Sequence, residues 1–206
     1  MKKFITTITL QSRGADKLCY ADDTAEGKER ILTAFPIIQK ICDTAEEGER
    51  IKIVAMVVGD GKYRDNYNSF VSELDELKSR KGFEYELESI EKEENEHQDT
   101  VISFFGDIIS KIEDGDSLYA CITYGTKPMS IITTMALHYA YRIKKDISVE
   151  ALIYGMRNWH EADKPLGIIY NTTSLFYIDC MIDRIANMGV SDPQSAVKAL
   201  MDMIGD

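Results

Sequence analysis

The residues best suited to chemistry form one short segment, Cys-Ile-Thr-Tyr-Gly-Thr-Lys-Pro-Met, at positions 121–129. Gly125 permits a positive φ and a close approach of the backbone to a ligand. Lys127 adds a full positive charge, and Pro128 is typical of the first turn of a helix, where free N–H groups attract anions. The segment therefore predicts a phosphate-binding turn. The same residues would also form a capped strand–helix junction without a ligand, and position alone does not separate the two interpretations.

Alternating strands and helices must position this turn. Short apolar or β-branched runs predict strands at 3–11, 50–58, 83–87, 117–123, 150–154 and 166–170. Apolar residues at helical spacing predict helices at 29–44, 67–81, 101–112, 128–143 and 175–185, with a last short helix capped by Asp192. This order predicts an α/β fold with a Rossmann-like, mostly parallel sheet and helices on both faces. Ligands of such sheets bind outside the carboxyl ends of the strands.

Composition excludes several classes of function. The chain has 206 residues, with 24 Lys and Arg against 35 Asp and Glu, so its net charge of −11 disfavours binding to long DNA or RNA. Its apolar runs are too short to span a membrane and its first residues do not resemble a signal peptide, which predicts a soluble, cytoplasmic protein. The four cysteines are widely scattered without a CxxC pair, so neither a metal site nor a redox dithiol is expected. No cofactor is expected either, because the GxGxxG and Walker A motifs are absent.

The segment 123–129, Thr-Tyr-Gly-Thr-Lys-Pro-Met, resembles the Thr-x-Gly-Thr-Lys-x-Met signature of CARF domains, the CRISPR-associated Rossmann-fold sensors of type III systems. The stretches 152–155 and 168–176 are similar to the C-terminal half of the same domain in larger members. The resemblance is specific over roughly 117–189, whereas before residue 117 it is limited to the general architecture. Many members carry an acidic or amide residue where this chain has Cys121.

This resemblance implies a homodimer whose paired loops bind a cyclic oligoadenylate in antiviral defence, with cyclic tetra-adenylate the first candidate. Two copies of the turn on a two-fold axis would hold the ring of phosphates without a generally basic surface. Some CARF domains are ring nucleases, metal-independent phosphodiesterases that cleave the ring to a 2′,3′-cyclic phosphate. The alternative is a non-catalytic sensor that signals through a separate effector protein. Whether this chain is an enzyme therefore stays open at this point.

The resemblance also implies which residues bind and react. Ligand contacts are expected from Thr123, Gly125, Thr126, Lys127 and Met129, and from Gln11, Ser12 and Arg13 in the loop after the first strand. Arg157 and Trp159 suit contact with phosphate and stacking on adenine. For cleavage, Lys127 would stabilise the charge that develops on phosphorus, while Ser12 and Thr123 would orient the ribose and the phosphate.

The predicted organisation is one CARF-like ligand-binding domain at 1–190 followed by a C-terminal helix at 191–206. That helix would contact a twin subunit or a partner. The chain as given leaves no room for a fused effector domain, so its output would be removal of the messenger or a signal to another protein.

Overall fold

The computed structural model describes residues 1–8, 16–22, 29–59, 64–93, 97–157 and 166–205. Eight strands lie within these ranges: β1 Lys2–Thr7, β2 Leu18–Asp22, β3 Leu32–Thr33, β4 Arg50–Val58, β5 Glu84–Lys92, β6 Ser117–Cys121, β7 Ser148–Arg157 and β8 Leu166–Asn171. The helices are α1 Pro36–Thr44, α2 Arg64–Lys81, α3 Gln98–Ser110, α4 Lys127–Ile143, α5 Thr173–Asn187 and α6 Pro193–Gly205.

The strands form one mixed sheet in the order β3-β2-β8-β7-β6-β1-β4-β5. The five strands from β7 to β5 are parallel to their neighbours, whereas β8 is antiparallel to β7 and β3 is antiparallel to β2. The predicted α/β fold with a mostly parallel, Rossmann-like sheet is confirmed at this level.

Both faces of the central strands are covered. Phe4 and Ile53 belong to a core cluster that includes apolar residues of α1 and α2. Their chain neighbours Ile5 and Val54 are fully buried as well, although successive side chains of a strand point to opposite faces. The near-continuous apolar run of β4 therefore has the burial that its sequence predicted.

The carboxyl ends of β1, β6 and β7 meet at one edge of the sheet. The register aligns Thr6 of β1 with Cys121 of β6, and Cys121 with Ile153 of β7. Since β2 and β8 run in the opposite direction to β7, their amino ends lie at that same edge. Most of the predicted ligand-binding residues follow these strand ends.

The predicted helix at 29–44 is wrong in its first half. The helix begins at Pro36, and Phe35 before it is extended, with φ −121° and ψ 111°. A proline disfavours the helical conformation in the residue that precedes it and fits the first helical turn, so Pro36 starts the helix instead of bending it. The two strands β2 and β3, which the sequence did not predict, add to the β8 side of the sheet.

The chain divides into two compact units, Met1–Thr172 and Thr173–Asp206. The second unit contains α5 and α6. Asp192 caps α6 as predicted, because its carboxylate accepts hydrogen bonds from the Ser195 amide at 3.1 Å and hydroxyl at 2.7 Å. These bonds hold the pKa of Asp192 below its usual value. The predicted separation of a ligand-binding region at 1–190 from a contact helix at 191–206 concerns function and stays a prediction.

Among the helices that the structure describes, none has the length and apolar character that a membrane span requires. The described residues also contain no cluster of three or more His, Cys, Asp or Glu side chains arranged to hold a metal ion.

Candidate ligand-binding turn

The predicted turn at 123–129 comprises the connection between β6 and α4 and the first three residues of α4. The strand ends at Cys121, the chain turns over 123–125, and the helix begins at Lys127 with Pro128 in its first turn. Thr126 is the extended N-cap residue, with φ −80° and ψ 164°, and its side chain makes no capping hydrogen bond. The amide groups at the start of this 17-residue helix and its dipole favour an anion at this position.

Position 125 requires glycine for two reasons, its backbone conformation and the lack of room for a side chain. Its φ is 98°, a value that side-chain-bearing residues rarely adopt. A Cβ at this position would lie 2.9 Å from Cγ2 of Thr7 and 3.1 Å from Cβ of Met129. The turn is therefore held directly against the end of β1.

The Thr123 hydroxyl connects the turn to β7. Its oxygen accepts a 2.8 Å hydrogen bond from the amide of Gly155 and lies 3.1 Å from Sγ of Cys121. Cys121 is almost completely buried, and burial raises the pKa of its thiol, so this position faces the interior. A hydroxyl has one hydrogen and two lone pairs, and the protein itself already uses part of this capacity at Thr123.

Tyr124 extends from the turn into the core. Its hydroxyl donates a 2.6 Å hydrogen bond to the carbonyl of Ala34, and its ring meets that of Phe35 edge to face, with centroids 6.1 Å apart. Burial raises the pKa of Tyr124 far above its usual value. The sequence analysis missed this residue. The signal that could have indicated it is the large aromatic side chain at position 124, between Thr123 and Gly125.

The other residues of the turn differ in accessibility. Lys127 is exposed and makes no ion pair with any residue that the structure describes. Thr126 is half-buried, whereas Met129 is buried and its amide donates to the Thr126 carbonyl at 3.0 Å. Lys127 is therefore the charged group of the turn that is available to a ligand.

Arg157 ends β7, two residues beyond Gly155, and forms a 2.7 Å ion pair with Asp16. Asp16 is the first described residue after positions 9–15. Gln11, Ser12, Arg13 and Trp159, four of the predicted site residues, lie outside the described residues. The structure therefore brings together Thr123, Gly125, Thr126, Lys127 and Met129 within one turn, with Arg157 on the neighbouring strand.

A separate cleft of about 410 Å³ lies between the β3 segment and α2. Arg30, Thr33, Glu73 and Arg80 are among the residues that line it, and the turn at 123–129 contributes none of its lining. Ala34, whose carbonyl accepts the Tyr124 hydrogen bond, is the neighbour in sequence of the lining residue Thr33.

Neither models of protein families nor curated protein sequences match this chain.

Proposed function

We propose that this protein binds a cyclic oligoadenylate, the second messenger of type III CRISPR defence, between two copies of the turn at 123–129 in a homodimer. The observation that carries the proposal is an exposed Lys127, without an ion pair to any described residue, at the amino end of α4. The turn before this lysine packs on Thr7 at the end of β1 and is hydrogen-bonded to Gly155 of β7. A cation, helix amides and a close backbone are what a phosphodiester needs.

The net charge of −11 is compatible with this ligand. A ring of a few phosphates contacts a small area, so a local positive site on each subunit is sufficient. Arg157 is a second cation at the same edge, and its ion pair with the exposed Asp16 is weak enough for a phosphate to replace it.

The reaction we propose for this site is opening of the ring. The ribose 2′-oxygen attacks the adjacent phosphorus and loses its proton, the bond to the 5′-oxygen breaks, and that oxygen takes up a proton. The products carry a 2′,3′-cyclic phosphate and a 5′-hydroxyl. Lys127 would stabilise the charge that builds up on the phosphate oxygens, and Ser12 and Thr123 would orient the reacting groups.

One observation favours the alternative, a sensor that does not cleave its ligand. The Thr123 hydroxyl is already hydrogen-bonded to the Gly155 amide and lies against Cys121, so it is less available to orient a ribose. Lys127 is then the one predicted catalytic residue among the described ones whose functional group has no internal partner. A sensor would pass its signal to a separate effector protein.

The experiment is incubation of the purified protein with cyclic tri-, tetra- and hexa-adenylate in EDTA, followed by chromatography of bound and cleaved fractions. We expect one ring to be retained by a dimer, and cleavage products would identify a ring nuclease. Lys127→Ala should weaken binding by about 10- to 100-fold, the usual value of a charge-assisted hydrogen bond. Lys145→Ala, at an exposed lysine beyond the other end of α4, is the matched control and should bind normally. If no ring is retained or cleaved, the proposal is wrong.

A further inference from the structure

The hydroxyl of Tyr124 is the contact that joins the ligand-binding turn to the helical layer containing α1. The hydroxyl donates to the Ala34 carbonyl at 2.6 Å, across 90 residues of sequence. Ala34 lies two residues before Pro36, the first residue of α1. The buried side chain of Tyr20, which is 2% exposed, lies close enough to Tyr124 to help raise the pKa of the Tyr124 hydroxyl. Tyr124 therefore runs from the turn, where Gly125 and Lys127 are exposed, into the buried core.

The far end of this bond is itself held in place. The Ala34 amide donates to Oε2 of Glu73 at 3.2 Å, and the Thr33 hydroxyl donates to the same oxygen at 2.5 Å. Glu73 is 6% exposed on α2, and its other oxygen pairs with Lys17 at 3.2 Å. A buried carboxylate with two internal donors and a cation fixes Ala34 through its amide, next to the carbonyl that receives the Tyr124 hydrogen bond.

The other contacts of the turn described here run toward β7, toward β1 or within the turn itself, and the Tyr124 hydrogen bond runs toward α1. Thr123 ties the turn sideways to β7, and Gly125 packs on Thr7 of β1. The Ser130 hydroxyl donates back to the Ile122 carbonyl at 3.3 Å, within the same strand–helix unit. Tyr124 supplies the hydrogen bond that runs toward α1, beside the edge-to-face contact of its ring with Phe35, so loss of the hydroxyl should loosen the attachment of the turn to the core.

From these contacts we infer that Tyr124 is a positioning residue, whose hydroxyl holds the Gly125-Thr126-Lys127 backbone in its ligand-binding conformation. The hydroxyl points into the core and acts through Lys127 and the helix amides, without touching a ligand itself. The part of this inference that concerns affinity rests on the proposed function. The part that concerns the conformation of the turn does not.

The test compares Tyr124→Phe with Tyr85→Phe. Both variants lose one phenol hydroxyl, and the hydroxyl of Tyr85 donates to Asp75 at 2.7 Å from β5, at the far edge of the sheet from β3. Amide hydrogen exchange is measured on the peptide covering 122–130. We expect exchange there to rise about five-fold in Tyr124→Phe, the value of one ordinary hydrogen bond, and to stay unchanged in Tyr85→Phe. Unchanged exchange at 122–130 in Tyr124→Phe would overturn the inference.

Affinity is measured separately, at a temperature where each variant is fully folded. A merely structural tyrosine would lower the melting temperature without changing the affinity of the folded protein. We expect Tyr124→Phe to bind the retained cyclic oligoadenylate more weakly, by up to about five-fold, because the competent conformation is less populated. Glu73→Gln weakens the hydrogen bond that holds the Ala34 amide. It should also raise amide exchange at 122–130 and weaken binding, each by a smaller factor than Tyr124→Phe. Normal affinity with a loosened turn would refute the role in binding.

The two proposals fail in distinguishable ways. If the wild-type protein retains none of the cyclic rings, the proposed function is wrong, and hydrogen exchange at 122–130 still decides whether Tyr124 holds the turn. If the wild-type protein binds a ring and Tyr124→Phe behaves as Tyr85→Phe does, the function stands and the positioning role is wrong.

Discussion

The amide of Gly155 donates a 2.8 Å hydrogen bond to the hydroxyl oxygen of Thr123, joining β7 to the turn that follows β6. A side chain at position 155 would destroy this arrangement, since a Cβ there would lie 2.2 Å from Cγ of Pro36. Glycine therefore brings the β7 backbone close to α1, and threonine supplies the acceptor for its amide. The candidate site is built on a contact between residues 32 positions apart.

Thr123→Val should destabilise the fold by about 1–3 kcal/mol, because valine keeps the shape and leaves the Gly155 amide without its acceptor. Urea unfolding measures the change. The control is Thr172→Val: the Thr172 hydroxyl donates to the Leu152 carbonyl at 2.8 Å, but the Thr172 amide satisfies that same carbonyl. If Thr123→Val lowers the free energy of unfolding no more than Thr172→Val does, the hydrogen bond from Gly155 to Thr123 has no special structural role.

Gly125→Ala should be more damaging than Gly48→Ala. Both glycines have positive φ, 98° and 75°, so each substitution introduces backbone strain of about 1–3 kcal/mol. A Cβ at position 48 meets nothing within 4 Å, whereas one at position 125 meets Thr7 at 2.9 Å. The additional overpacking at position 125 should cost about 1–3 kcal/mol more, measured by thermal unfolding. Equal losses would mean that the turn can move away from β1 freely.

Asp116→Asn should destabilise the protein by about 3–5 kcal/mol. Lys3 is completely buried, and its ammonium group lies 2.6 Å from the Asp116 carboxylate. Asparagine still accepts from the Glu113 amide but leaves the buried ammonium without its counter-charge. Glu84→Gln is the control, because it removes a partner from the exposed pair with Lys78 and should change stability by less than about 1 kcal/mol. Similar unfolding midpoints for both variants would refute the importance of the buried pair.

Stability should fall above pH 10. Burial raises the pKa of Tyr20 to about 12 and that of Tyr124 further, whereas both titrate near 10 in the unfolded chain. Below pH 10 both states keep these protons and stability is unaffected. Between pH 10 and 12 the unfolded state loses protons that the folded state retains, so each tyrosine lowers stability by up to about 1.4 kcal/mol per pH unit.

Urea midpoints between pH 8 and 11.5 test this dependence, together with the ultraviolet absorbance of tyrosinate. Tyr124→Phe should give a shallower decline than the wild-type protein, because one of the retained protons is gone. A decline of the same slope would show that Tyr124 ionises equally easily in both states.

Local patterns were sufficient for much of the fold. The apolar run of β4 and the stripe of α3 are properties of neighbouring residues, and the structure has both elements close to their predicted positions. The turn at 123–129 was also predictable, because a glycine before a lysine and a proline favours a strand–helix junction. In contrast, the signals of β2 and β3 are weak, since five and two residues give little periodicity, and their stability depends on pairing and on core contacts of side chains such as Leu18 and Tyr20 with distant residues.

By itself, the sequence determined the alternation of elements, the mostly parallel sheet and the residue types of the candidate turn, because propensity and spacing act over a few residues. Only the tertiary structure decided which distant groups hold that turn. The hydrogen bonds of Tyr124 to Ala34 and of Thr123 to Gly155 depend on strand order and on where α1 begins. Those features follow from the packing of the whole sheet, and no short stretch of sequence contains them.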